Sequence, residues 1–234
     1  MKLTGRGKLA LITFVLFDLA IAVILLDLRT LRAERATEVE LRELGVTVYP
    51  EPRSLTEFAL QDQFGDPFTT SDFLGGWNLV FFGFTSCPDI CPLTMAELQK
   101  FYQSIDVNEF GKPRIILVTV DPARDTPETM ANYLGNYNED FIGLSGDAAS
   151  ISRLATQLYV VQSGGPDAEV PSPEVPQLHN HTENSNTAGS IGDYLINHSA
   201  HISVISPRGE NFAVMRPPHR DQDIARAFRL LTKL

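Results

Sequence analysis

LVFFGFTSCPDICP, residues 79–92, is the stretch whose reading decides the fold. Its first six residues are an apolar run broken by one glycine, with the length and the β-branched or aromatic character of a strand buried on both faces. The run stops at Thr85 and Ser86; Cys87 follows, then Cys91 four positions on, each with a proline directly after it. Proline is tolerated in the first turn of a helix, where its missing N–H has no intrahelical partner. The segment therefore reads as strand, turn and helix, with both cysteines at the junction. Residues four apart on a helical turn share a face, so the two sulfurs can meet, either as a disulfide or around one metal ion. The positive end of the helix would depress the pKa of a thiol near its start. These are the only cysteines in 234 residues, and the alternative of two buried thiols serving as small hydrophobes leaves the spacing and the flanking prolines without a reason.

Downstream, residues 93–107 carry a helical pattern, and residues 114–120, with Ile115, Ile116, Leu117 and Val118, predict a second buried strand that ends at Asp121 and Pro122. Pro127 and Glu128 open a helix running to about residue 137. A short strand over 142–145, a helix over 148–158 and a strand over 159–162 continue an alternation that predicts a largely parallel sheet. Residues 163–192 differ in composition, with four prolines, four acids and no Lys or Arg, and read as a flexible insertion outside the core. Alternation over 201–205 predicts a half-buried strand, Pro207-Arg208-Gly209 a hairpin turn, residues 211–215 the returning strand, and residues 221–231 an amphipathic closing helix. Upstream, two short strands over 58–64 and 68–70 flank Gly65-Asp66-Pro67 as a hairpin that opens the domain.

At the start of the chain, residues 9–26 carry a single charge, Asp18, and are just long enough to span a bilayer. No small-residue cleavage pattern follows, so residues 1–27 are expected to be a retained membrane anchor rather than a removed signal. Lys2, Arg6 and Lys8 before the span are matched by Arg29, Arg32 and Arg35 after it, which leaves orientation undecided by charge. The chemistry of a two-cysteine site favours the extracytoplasmic side, in a bacterium the periplasm. Residues 28–52 are expected to form a helical stalk, with Glu38 and Arg42 set for an i,i+4 pair and Gly45 as a stop, and residues 53–234 the folded domain. Six of the 19 basic and three of the 29 acidic residues lie in the first 35, leaving 13 basic against 26 acidic beyond. That balance excludes nucleic acid as a partner.

A hairpin, a βαβ unit with a cysteine pair at its first junction, a later hairpin and a final helix is the order of a thioredoxin-like α/β fold. Ligands in such sheets gather at the carboxyl ends of strands, where Cys87 and Asp121 both sit, and His198 lies just before the later hairpin. Two thiolates and one imidazole suit copper as Cu(I) or Cu(II), whereas structural zinc would want a fourth ligand. The blocks FGFTSCPDICP (82–92), VDPARDTP (120–127) and DYLINH (193–198) together resemble the signature blocks of the Sco/SenC family, membrane-anchored copper-binding proteins with a thioredoxin-like fold. The resemblance implies copper ligation by Cys87, Cys91 and His198, with Asp121 beside the metal or, equally, serving only as a turn cap. It also implies a metallochaperone role in assembling the copper A centre of cytochrome c oxidase subunit II, supplied by an upstream copper donor. The alternative is a thiol-disulfide oxidoreductase that uses Cys87 and Cys91 to reduce that subunit's cysteines. Asn197 stands where the family commonly has Asp, and the 163–192 insertion is longer than the family pattern leads one to expect. Within it His179 and His181 form a His-x-His pair that would offer an auxiliary copper contact, although a solvated linker with incidental histidines is the favoured reading.

Overall fold

The computed structural model describes residues 35–106, 111–160 and 200–234, together with residues 14, 19, 21–25 and 29. In chain order its elements are β1 (Val46–Ser54), β2 (Ala59–Gln61), β3 (Pro67–Thr69), a 3-10 turn (Thr70–Phe73), β4 (Asn78–Gly83), α1 (Ile90–Ser104), β5 (Arg114–Thr119), α2 (Pro127–Gly135), β6 (Ile142–Leu144), α3 (Ala148–Gln157), β7 (Ile202–Ile205), β8 (Glu210–Met215) and α4 (Asp221–Leu231). Six strands form one sheet in the order β1-β8-β7-β4-β5-β6, and β2 and β3 form a separate hairpin.

β4 lies inside this sheet with all six residues buried. Its side chains alternate between two cores, as a pleated strand requires. Leu79 and Phe81 pack with Met95, Leu98 and Phe101 of α1, Met130 of α2 and Phe228 of α4. Val80 and Phe82 pack on the other face with Phe58, Leu60, Phe68, Phe73 and Leu154 of α3. Each such side chain contributes about 1.5–3 kcal/mol on leaving water, so β4 is the element whose burial organises both layers. The pairs β4/β5 and β5/β6 are parallel, while β4/β7, β7/β8 and β8/β1 are antiparallel. The sheet is therefore mixed rather than largely parallel, because the closing hairpin and β1 extend the βαβ half in the opposite sense. β7, expected to be half buried, is buried throughout; it lies between β4 and β8, with a layer on each face.

Two boundaries differ from the sequence expectation. Residues 35–43 are helical, the Glu38–Arg42 pair forms at 2.7 Å, and Gly45 ends the turn at φ 75°, as expected. Yet Leu41 is buried in the core, Glu40 pairs with Arg226 of α4, and β1 runs along β8 from Val46, so the folded unit takes in residues 41–52 of the expected stalk. Pro50 and Pro52 fall where the β1/β8 register shifts, between Val48 and Arg53, on an edge strand that tolerates missing N–H groups. The strand expected from residue 159 is absent at Tyr159 and Val160. Tyr159 takes φ 57°, its N–H donates to the Thr156 carbonyl, and the Val160 N–H donates to that of Ala155. This pair of bonds closes α3 with a Schellman cap. Residues 163–192, with His179 and His181, lie outside the described residues, as does most of 9–26; among the described residues no helix is long and apolar enough to cross a membrane.

Candidate metal centre

β4 delivers the chain to its carboxyl end at Gly83, and the turn that follows carries both cysteines. The Cys87 N–H donates to the Phe84 carbonyl at 3.2 Å, and α1 begins at Ile90, with Asp89 as an N-cap that makes no side-chain bond. Cys91 is the second residue of the helix and Pro92 falls in its first turn, where proline is tolerated. Cys87, by contrast, precedes the helix, so the sulfurs do not meet along a helical face. The turn folds Cys87 back until the two side chains hydrogen-bond to each other, and no disulfide joins them.

Packing sets their accessibility. Cys91 is wholly buried and Cys87 is 9% exposed, at the edge of the same cluster. Gly83 makes room for the deeper sulfur: a Cβ there would stand 2.9 Å from Cys91 Sγ and 3.0 Å from the Phe81 ring. A glycine inside an apolar strand run often marks such a close approach, which is the signal in the sequence for this otherwise unremarked position. Burial pushes the Cys91 thiol up to about 12, against a hydrogen bond to the Phe84 backbone, while Cys87 and Asp125 push further upward. The depression expected from the helix start is thus outweighed at Cys91 by desolvation. Tyr133 of α2 lies close enough to feel both sulfurs; its phenol is raised by burial first, then by Tyr137, whose ring lies 5.3 Å away. A cation entering this dithiol must displace thiol protons, since thiolates are the metal-binding form.

Asp121 lies at the end of β5, as expected. Its carboxylate is engaged by Arg124, and its N–H donates to Thr119 Oγ1 at 2.9 Å. The carboxylate that reaches the cysteine turn is a different one, Asp125, which accepts from Thr85 and Thr119. Asp125 belongs to the 120–127 block, but nothing local distinguishes it there, because its partner Thr85 lies 40 residues away in sequence. On the third side, β7 runs antiparallel to β4 with Ile202 opposite Phe81, so the chain leading into β7 arrives at the cysteine end of β4. There the Ala200 carbonyl accepts from His219 Nε2 at 2.6 Å. His201 bonds to the Leu158 backbone, while its buried Nε2 has no partner. His198, two residues before Ala200, lies outside the described residues, and among those described no group of three His, Cys, Asp or Glu side chains could hold a metal ion.

The sequence profile of the SCO1/SenC family matches residues 47–233. A Stutzerimonas stutzeri protein named for copper binding is 33% identical over 178 residues, which are 76% of this chain and 76% of that protein. The chain spans about half the length of the Homo sapiens mitochondrial SCO1 homologue that it also matches. Among solved structures, apo Sco1 of Thermus thermophilus superposes with a TM-score of 0.61 at 27% identity, covering 82% of this chain and 96% of that one. The copper-bound ScoI of Bradyrhizobium japonicum does so at 0.56 and 29%, covering 75% and 98%. The fold is the mixed α/β, thioredoxin-like one of these structures.

Proposed function

Because the chain belongs to the SCO1/SenC family, we propose that it binds copper on Cys87, Cys91 and His198 and serves in the assembly of cytochrome c oxidase. The single observation that carries this reading is the contact between the two thiols at the carboxyl end of β4, the end from which the chain next to His198 enters β7. Two soft sulfurs suit Cu(I), and one added imidazole suits Cu(II). The residues fit such a cargo: burial holds the Cys91 thiol in its neutral form until a cation replaces the proton. Copper in the names of its relatives supports the same reading. The finer parts of the proposal are delivery to the copper A centre of subunit II, receipt from an upstream donor, and an anchor over residues 9–26 that holds the domain in the periplasm.

The same contact between Cys87 and Cys91 supports a second reading, a dithiol that reduces the cysteines of that subunit. His198 separates the two. With reduced full-length protein, copper content should reach one ion per chain. His198→Ala should leave the Cys87–Cys91 pair reversibly oxidisable while a stable Cu(II) complex and oxidase maturation are lost. Retention of Cu(II) and of full oxidase assembly by His198→Ala would put the reductase reading first. The anchor is tested separately by a reporter fused after Leu234, which should be active only in the translocated form; cytoplasmic activity would remove that part.

A further inference from the structure

Among the described residues Asp125 is the only buried carboxylate, with no exposed surface at all. It sits in the turn between β5 and α2, yet its acceptors serve another element. The Thr85 N–H donates to both carboxylate oxygens at 3.2 Å, and the Thr85 hydroxyl donates to Oδ1 at 2.5 Å. The Thr119 hydroxyl donates to Oδ2 at 2.5 Å while accepting from the Asp121 N–H. Thr85 lies two residues before Cys87 and directly after Phe84, whose carbonyl receives the Cys87 N–H. Asp89, at the far end of this turn, contributes no capping bond.

We propose that Asp125 is a positioning residue for the cysteine pair: it clamps the β4–α1 turn in the form that brings the two sulfurs together. It thereby sets both the dithiol–disulfide equilibrium and the affinity for a soft cation without touching either. The metal half of this proposal rests on the copper reading above; the redox half does not. Bonds to a carboxylate are about twice as strong as neutral ones, and groups that orient metal ligands from behind typically alter affinity by about 10–100-fold. An amide of the same shape cannot replace the carboxylate. Thr85 brings two donors and Thr119 a third, whereas an asparagine has one acceptor oxygen and would turn its NH2 toward one of them. If that one is Thr119, whose oxygen already accepts from Asp121, the Thr119 hydroxyl proton is left without its acceptor.

The test uses the full chain with Asp125→Asn, Thr85→Val and the conservative Thr85→Ser, each checked for folding by thermal unfolding. The first readout needs no metal: equilibration in glutathione buffers, where an S–S bond forms between Cys87 and Cys91 as one breaks in oxidised glutathione, two electrons and two protons passing to the two glutathione thiols produced. The second is Cu(I) competition against a chelator. Asp125→Asn and Thr85→Val should lower the disulfide-forming constant about 10-fold and the Cu(I) affinity about 10–100-fold, with Thr85→Ser near the parent. Thr85→Val keeps the N–H bond and serves in place of Asp125→Asn should the latter fail to fold. Lower unfolding temperatures with both constants within about 2-fold of the parent would overturn the proposal and leave Asp125 a purely structural group. If the parent itself binds no copper, the copper reading fails, and the glutathione equilibrium still decides the clamp.

Discussion

On one side of the centre Cys91 is sealed beneath Gly83 and Phe81, Cys87 closes over it, and Asp125 ties the turn to β5. On the other, where the chain enters β7, the described residues offer His219 donating to the Ala200 carbonyl and His201 bonded to the Leu158 backbone, with the His201 Nε2 buried and unpartnered. The thiol side is held by the packing of the core, which has little freedom to relax. The side next to His198 is held by individual polar bonds, which break one at a time and respond to pH.

The harshest challenge to this contrast is Gly83→Ala. The added methyl should destabilise the protein by about 1–3 kcal/mol and weaken copper binding as the Cys91 sulfur is displaced, whereas Gly76→Ala, with nothing within 4 Å of the new carbon, should stay within about 0.5 kcal/mol. Urea unfolding of both variants compares them directly, and equal effects would mean that the sulfur is not wedged. Next comes His219→Leu, which leaves the Ala200 carbonyl without its donor at a cost of about 1–2 kcal/mol and should weaken Cu(II) more than Cu(I). His219→Gln, which can still donate, should recover most of the loss. An equal loss for the two copper states would show that this bond does not bear on the nitrogen side.

A smaller effect is expected from pH. Burial lowers the pKa of His219, and burial first, then the charges of His219 and Arg216, lowers that of His201, each against one backbone hydrogen bond. A histidine with a depressed folded pKa is neutral in the fold, so below about pH 6.5 the unfolded chain binds more protons. Stability is therefore full above that pH and falls as pH drops through the folded values. Unfolding curves between pH 7 and 5 should show this slope, and His201→Gln should flatten it; an unchanged slope would point to other groups. The mildest test is alkylation of the reduced, metal-free protein near neutral pH. Cys87, at the surface edge, should be labelled at least about 10-fold faster than Cys91, whose thiol is pushed up to about 12. Similar rates, read by mass spectrometry of the peptides, would mean that the turn opens readily.

Most of the elements were legible because their causes are local. The apolar run of β4, the Pro207-Arg208-Gly209 turn and the 3.6-residue pattern of α4 each lie within a few residues, and all three formed where expected. β1 was not legible, since Pro50 and Pro52 argue against a strand unless it is an edge with a register shift, and only the pairing with β8 reveals that. The strand expected from residue 159 fails at Tyr159 and Val160 for a related reason: Tyr159 occupies a left-handed position usually given to glycine, which only the closing of α3 in the fold reveals.

By itself the sequence determined the strand, turn and helix around Cys87 and Cys91, because chain period, proline placement and residue spacing act over short distances. It also determined the family, through blocks that keep their order along the chain. Only the tertiary structure decided the state of the site. Whether the helix start or burial governs the Cys91 thiol depends on how much of the core closes over it, and burial won. Which acid supports the pair depends on bringing Thr85 and Asp125 together across 40 residues. Desolvation and hydrogen bonding of this kind are sums over neighbours in space, and those neighbours come from α1, α2, β4 and β5 only once the sheet has formed.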